Sequence, residues 1–90
     1  MRTASRLMIK GLVHGVMFRA SLCNYARSQS VSGWVRNRVD GSVEAFVEGE
    51  EENVKNVIEW ARHGPPMARV DSVRCLEATV RNLRGFVVVG

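Results

Sequence analysis

Two short segments hold the residues best suited to chemistry. Arg19 ends the stretch GLVHGVMFR, residues 11–19, and Asn37 lies in GWVRNRVDGSVE, residues 33–44. A guanidinium is a planar fork that grips an oxyanion through two hydrogen bonds. No acidic residue in the first stretch is available to pair with it. Gly15 has no side chain, so its backbone approaches a ligand closely and tolerates unusual φ. Where such a stretch opens a helix, the first amides lack internal acceptors and, with the helix dipole, form an anion site. The amides of Gly15, Val16, Met17 and Phe18 would then cradle phosphate-type oxygens as a nest does, and Arg19 would close over them. The same residues also fit a plain turn followed by a solvated arginine, and the GK[ST] ending of a Walker A loop is absent. One detail favours the anion. A cation in the first helical turn faces the wrong dipole end, unfavourable by about 0.3–1 kcal/mol, and a bound anion reverses that sign.

Asn37 shares one side of an alternating run with Val35 and Val39, an apolar face by pattern. A carboxamide in such a place needs partners. Either it satisfies neighbouring backbone groups or it holds a water. It is no base near neutral pH and can only orient that water.

The elements that must position these groups follow from periodicity. Residues 6–13 read as a short apolar strand broken by Gly11. From Phe18 to about Gln29, Phe18, Leu22, Tyr25 and Ala26 recur at helical spacing. Residues 33–39 and 42–50 alternate on either side of Asp40-Gly41, a strong hairpin signal. Residues 50–63 form a second helix, with Glu50, Glu51 and Glu52 at its start, an apolar stripe of Val54, Val57, Ile58 and Ala61, and Gly64-Pro65 as its stop. A further strand spans 67–80, and GFVVVG closes the chain as a last short one. The expected fold is α+β: a ferredoxin-like split βαβ arrangement (βαββαβ), an antiparallel sheet with two helices on one face in a two-layer sandwich. Residues 1–90 form one domain, without repeat, linker or low-complexity segment.

Composition narrows the partners. The formal net charge is +4, which favours anionic partners without choosing among them. No apolar run approaches the roughly 20 residues of a membrane span. The N-terminus does not read as a signal peptide, so no membrane association is expected and a cytoplasmic location is the default. Cys23 and Cys75 sit in no metal-ligand spacing and make no disulfide framework. They read as packing residues, with a bridge between them left open.

The sequence resembles the acylphosphatase family. Gly11, Val13, Gly15, Val16, Phe18 and Arg19 fit that family's first motif, G-x-V-x-G-V-x-F-R. Gly33, Val35, Asn37, Asp40, Gly41, Val43 and Glu44 fit its second, G-x-V-x-N-x-x-D-G-x-V-E, and GPPMARV follows in order. The resemblance covers nearly the whole chain and implies the ferredoxin-like fold already reached. It also implies hydrolysis of the carboxyl–phosphate bond of an acyl phosphate, with Arg19 and the loop amides binding the phosphate, or a similar anion, and Asn37 orienting the attacking water. No metal, cofactor or covalent phosphoenzyme is implied, and a monomer is expected. Leu12 and His14 depart from the Arg and Gln common in the family, and FVVVG lacks the basic residues often found near the C-terminus. His14 reads as a packing or surface residue, or as a source of mild pH sensitivity.

A second reading is a ferredoxin-like nucleic-acid-binding module. Trp34, Phe46, Arg36 and Arg38 fall on the other sheet face, where they could stack bases and hold phosphates. No RNP1-type aromatic pattern is present. The plainer account is a partly exposed sheet face with Arg–Glu cross-strand pairs. His63 reads as a residue of a C-terminal helical turn.

Overall fold

The computed structural model describes all 90 residues. The elements are β1 (Arg2–Leu12), α1 (Phe18–Ser28), β2 (Ser32–Asn37), β3 (Val43–Glu50), α2 (Glu51–His63), β4 (Arg69–Ala78) and β5 (Phe86–Val88). The strands form one sheet in the order β4-β1-β3-β2-β5. The two helices pack on one face, giving the ferredoxin-like α+β sandwich expected from periodicity. No helix is long and apolar enough to cross a membrane.

The central strand is β3, and every residue from Val43 to Gly49 is buried. Val43, Ala45 and Val47 face the helices and join Leu7, Ile9 and Val35 in the core. From α1 come Phe18, Leu22, Cys23 and Ala26, and from α2 Val54, Val57 and Ala61. Each large apolar side chain taken out of water here contributes about 1.5–3 kcal/mol. The helices meet through aromatic rings: Trp60 stacks on Tyr25 and tilts against Phe18, both at 5.7 Å between centroids. Glu51 and Glu52 occupy the first turn of α2, and Gly64 caps its end at φ 72.

Three features differ from the pattern-based reading. First, β1 begins at Arg2, because Arg2 to Ser5 pair with β3 even though they lack apolar alternation. Second, β2 ends at Asn37. Arg38 instead starts a turn, its amide donating to the Ser42 carbonyl at 2.8 Å. Val39 consequently leaves the apolar face and is fully exposed. Third, the sheet is antiparallel except at one edge, where β5 runs parallel to β2. Backbone bonds join that edge, from the Gly33 amide to the Gly85 carbonyl at 3.0 Å and from the Val89 amide to the Val35 carbonyl at 2.9 Å. Arg27 of α1 adds two more, from Nε and Nη2 to the Phe86 carbonyl, at 3.1 and 2.9 Å. Cys23 is buried and Cys75 exposed, and the two are not bridged.

Candidate active site

The carboxyl ends of β1 and β2 lie at one end of the sheet. Ile9 and Asn37 are both Cα partners of Val43, from opposite sides of β3. The connection leaving β1 therefore opens beside the end of β2. Since β5 is parallel to β2, Val88 reaches the same end, and the N-terminus of α1 completes the cluster.

Residues 13–17 form that connection. Its flanks are pinned by burial of Val13 and Phe18, 2% and 1% exposed. Between them Gly15 has φ 70 and Met17, the N-cap of α1, has φ 66 and ψ 21. A left-handed conformation at a residue with a side chain costs about 1–3 kcal/mol and tends to mark functional sites. No side-chain capping bond offsets it. None of the amides from His14 to Met17 donates to a backbone carbonyl. The first backbone bond into the helix is from the Ser21 amide to the Met17 carbonyl, 3.0 Å. The amides of Phe18, Arg19 and Ala20 belong to the first turn, where helical acceptors do not exist. That turn contains no acidic residue. The result is a run of free donors at the positive end of a helix, with a guanidinium in the same turn.

Gly15, Met17, Phe18 and Arg19 line a depression of about 310 Å³, together with Val13 and Val88. Val16 and Asn37 do not line it. Val16 packs against the core instead. Arg19 Nη1 donates to the Gly90 carbonyl at 3.2 Å, an acceptor that motif reading did not anticipate. Asn37 is half-buried, and its Oδ1 has no hydrogen-bond partner. His14, left without an assigned role by its sequence context, makes a hydrogen bond to the Ser42 carbonyl, Nε2 to O 2.8 Å. Nearby Asp40 accepts from the Ser42 hydroxyl at 2.6 Å and amide at 3.0 Å. These bonds, with the charges of Arg38 and Lys10, hold its carboxyl below the ordinary 3.8.

The opposite sheet face is charge-paired. Glu44, 1% exposed, accepts from Arg6, Arg36 and Arg38, and Glu48 pairs with Arg2. Phe46 lies beneath Trp34 and Arg81 with no exposed surface. Of the two rings proposed for base stacking, Phe46 is covered and Trp34 lies half-buried against it. The arginines proposed for phosphates already hold a carboxylate, so the nucleic-acid reading is not favoured. His63 bonds the Glu59 carbonyl through Nδ1 at 3.1 Å, in the last turn of α2.

Comparison with known proteins points the same way as the two motifs. The family model for acylphosphatase matches residues 5–88. A curated acylphosphatase of Thermococcus kodakarensis is 48% identical over 89 residues, covering 99% of this chain and 98% of the relative. Among solved structures, an acylphosphatase from Coxiella burnetii superposes with a TM-score of 0.94 at 34% identity, covering 98% of this chain and 93% of that one. The acylphosphatase from Bacillus subtilis gives 0.94 at 31%, over the full length of both. Near-half identity sustained from end to end, on a shared fold, means that the chain belongs to the acylphosphatase family.

Proposed function

We propose that the chain hydrolyses the carboxyl–phosphate bond of acyl phosphates through Arg19, Asn37 and the loop amides of residues 15–19. Membership of the acylphosphatase family carries the reaction class, the family motifs imply the division of labour, and the chemistry supports it. The amides and Arg19 hold the phosphoryl oxygens. A water oriented by Asn37 attacks phosphorus, the bond from phosphorus to the acyl oxygen breaks, and its electron pair leaves on the carboxylate. The water's protons pass to the phosphate product and to solvent. Phosphoryl transfer asks mainly for positioning and charge stabilisation, and donors aimed at non-bridging oxygens supply both. A carboxylate is a weak base, so its departure needs no strong general acid. The Oδ1 of Asn37, without a protein partner, would orient the water by accepting a hydrogen bond from it, not by taking its proton. No metal or cofactor enters this scheme, which has the chain acting on a small molecule as a cytoplasmic monomer.

The observation that carries the proposal is the run of loop amides without backbone acceptors, immediately before a first turn that holds Arg19 and no acid. Turnover of benzoyl phosphate tests it. Arg19→Gln is expected to lower kcat/KM by about a hundredfold or more, with an unchanged circular dichroism spectrum. Chelator is expected to leave wild-type turnover intact. Wild-type-like activity in Arg19→Gln would remove the assignment, and chelator-sensitive activity would contradict a metal-free mechanism.

A further inference from the structure

Residues 13–17 make one hydrogen bond that leaves the loop and its helix: His14 Nε2 to the Ser42 carbonyl, 2.8 Å, across 28 positions of sequence. A carbonyl oxygen only accepts, so Nε2 carries a proton and donates it to this bond. We propose that His14 is a positioning residue: by donating to Ser42 it ties the phosphate loop to the β2–β3 turn and holds the loop amides in register with Asn37. This rests on the loop being the phosphate cradle.

The two ends of the tether differ in stiffness. Ser42 is 3% exposed and fixed from every polar atom. Its amide and hydroxyl donate to Asp40 Oδ1 at 3.0 and 2.6 Å. Its carbonyl accepts the Arg38 amide at 2.8 Å as well as the imidazole. Arg38 directly follows Asn37, so this turn sets where the asparagine stands. The loop has no such support. None of its amides from 14 to 17 is bonded to backbone, and Gly15 and Met17 both hold positive φ. Buried Val13 and Phe18 fix its ends and Val16 packs against the core, but His14 makes the one hydrogen bond from its middle to the turn that follows Asn37. Catalytic groups displaced by about 1 Å lose on the order of a hundredfold in rate, so a tether between the two halves of the site acts on kcat. Glutamine presents an amide N–H at the same number of bonds from Cβ and can make the same donation.

Kinetics with benzoyl phosphate, product inhibition by inorganic phosphate and melting curves on wild type, His14→Ala, His14→Gln and Arg19→Gln test this. His14→Ala is expected to lose about tenfold in kcat, with the phosphate inhibition constant within about threefold of wild type. His14→Gln is expected to recover kcat to within about twofold. Nitrogen-15 NMR of the wild-type histidine is expected to show the proton on Nε2 and none on Nδ1 at high pH. Three results would overturn the tether: unchanged kcat in His14→Ala, equal losses in the Ala and Gln variants with equal drops in melting point, or a proton on Nδ1 at high pH. If Arg19→Gln is inactive while His14→Ala is wild-type, only the tether falls. If Arg19→Gln stays active, the cradle falls and takes the purpose of the tether with it.

Discussion

Arg19 donates from Nη1 to the carbonyl oxygen of Gly90, 3.2 Å away, so the proposed phosphate-binding guanidinium is held on the side of β5. Gly90 in turn lies near Arg36, the neighbour of Asn37: a Cβ at Gly90 would come 3.9 Å from the Arg36 Cβ. The arginine of one motif is thus steered toward the strand that carries the asparagine of the other. A guanidinium has five N–H donors; one bond to a carbonyl leaves a bidentate edge for phosphate.

Arg19→Lys separates charge from shape. Lysine keeps the positive charge but cannot hold the Gly90 carbonyl and two phosphate oxygens in one plane. The variant is expected to fold normally, to weaken inhibition by inorganic phosphate, and to lose at least about thirtyfold in kcat/KM for benzoyl phosphate. Activity within threefold of wild type would mean that charge alone suffices at this position.

Asn37 is expected to show activity and stability moving apart. Its buried Oδ1 has no protein partner, and an unsatisfied buried acceptor costs about 1–3 kcal/mol. Asn37→Ala removes that oxygen, so its melting temperature should equal or exceed that of wild type while kcat falls by about a hundredfold. A melting point lower by five degrees or more would show that the oxygen stabilises the folded protein, and a structural role would then account for the residue.

Gly33 tests the packing of β2 on β3. A Cβ at that position would lie 1.7 Å from the Phe46 carbonyl oxygen, and φ is 145°. Gly41 also has positive φ, but its added Cβ meets nothing within 4 Å. Urea denaturation should therefore give about 3 kcal/mol or more of destabilisation for Gly33→Ala and about 1 kcal/mol for Gly41→Ala. Equal effects would mean that the strands separate easily at Gly33.

What could be read beforehand was local. Asp40-Gly41 between two alternating runs marked the hairpin, and the acids at Glu51 and Glu52 with Gly64 bounded α2, because each signal acts within a few residues. The parallel attachment of β5 could not be read, since it rests on backbone pairing with distant β2, Phe86 opposite Gly33, and on Arg27 reaching the Phe86 carbonyl 59 positions away. Alternation alone carried β2 on to Val39, but the turn bond from Arg38 to Ser42 ends the strand sooner. In the site, Arg19 and Asn37 stood out by residue type and by family motif. The His14–Ser42 bond spans the whole of α1 and β2, and no spacing rule links those two residues.

Glu44 should govern acid stability. Burial opposes ionisation of its carboxyl, but hydrogen bonds from Arg6 and Arg36, and their charges, outweigh burial and hold it below its ordinary 4.5. A carboxyl depressed in the folded state favours folding above its unfolded value. That contribution shrinks as pH falls below about 4.5, because the unfolded chain takes up its proton first, and it is gone once pH passes below the folded value. Melting temperature should therefore be nearly flat from pH 7 to 5 and fall steeply below 4.5. Glu44→Gln should be less stable at pH 7, because three guanidinium groups lose their shared carboxylate. The variant cannot titrate there, so its curve should be shallower and approach that of wild type as pH falls below 4.5. Parallel curves for the two proteins across this range would place the acid sensitivity in other carboxylates.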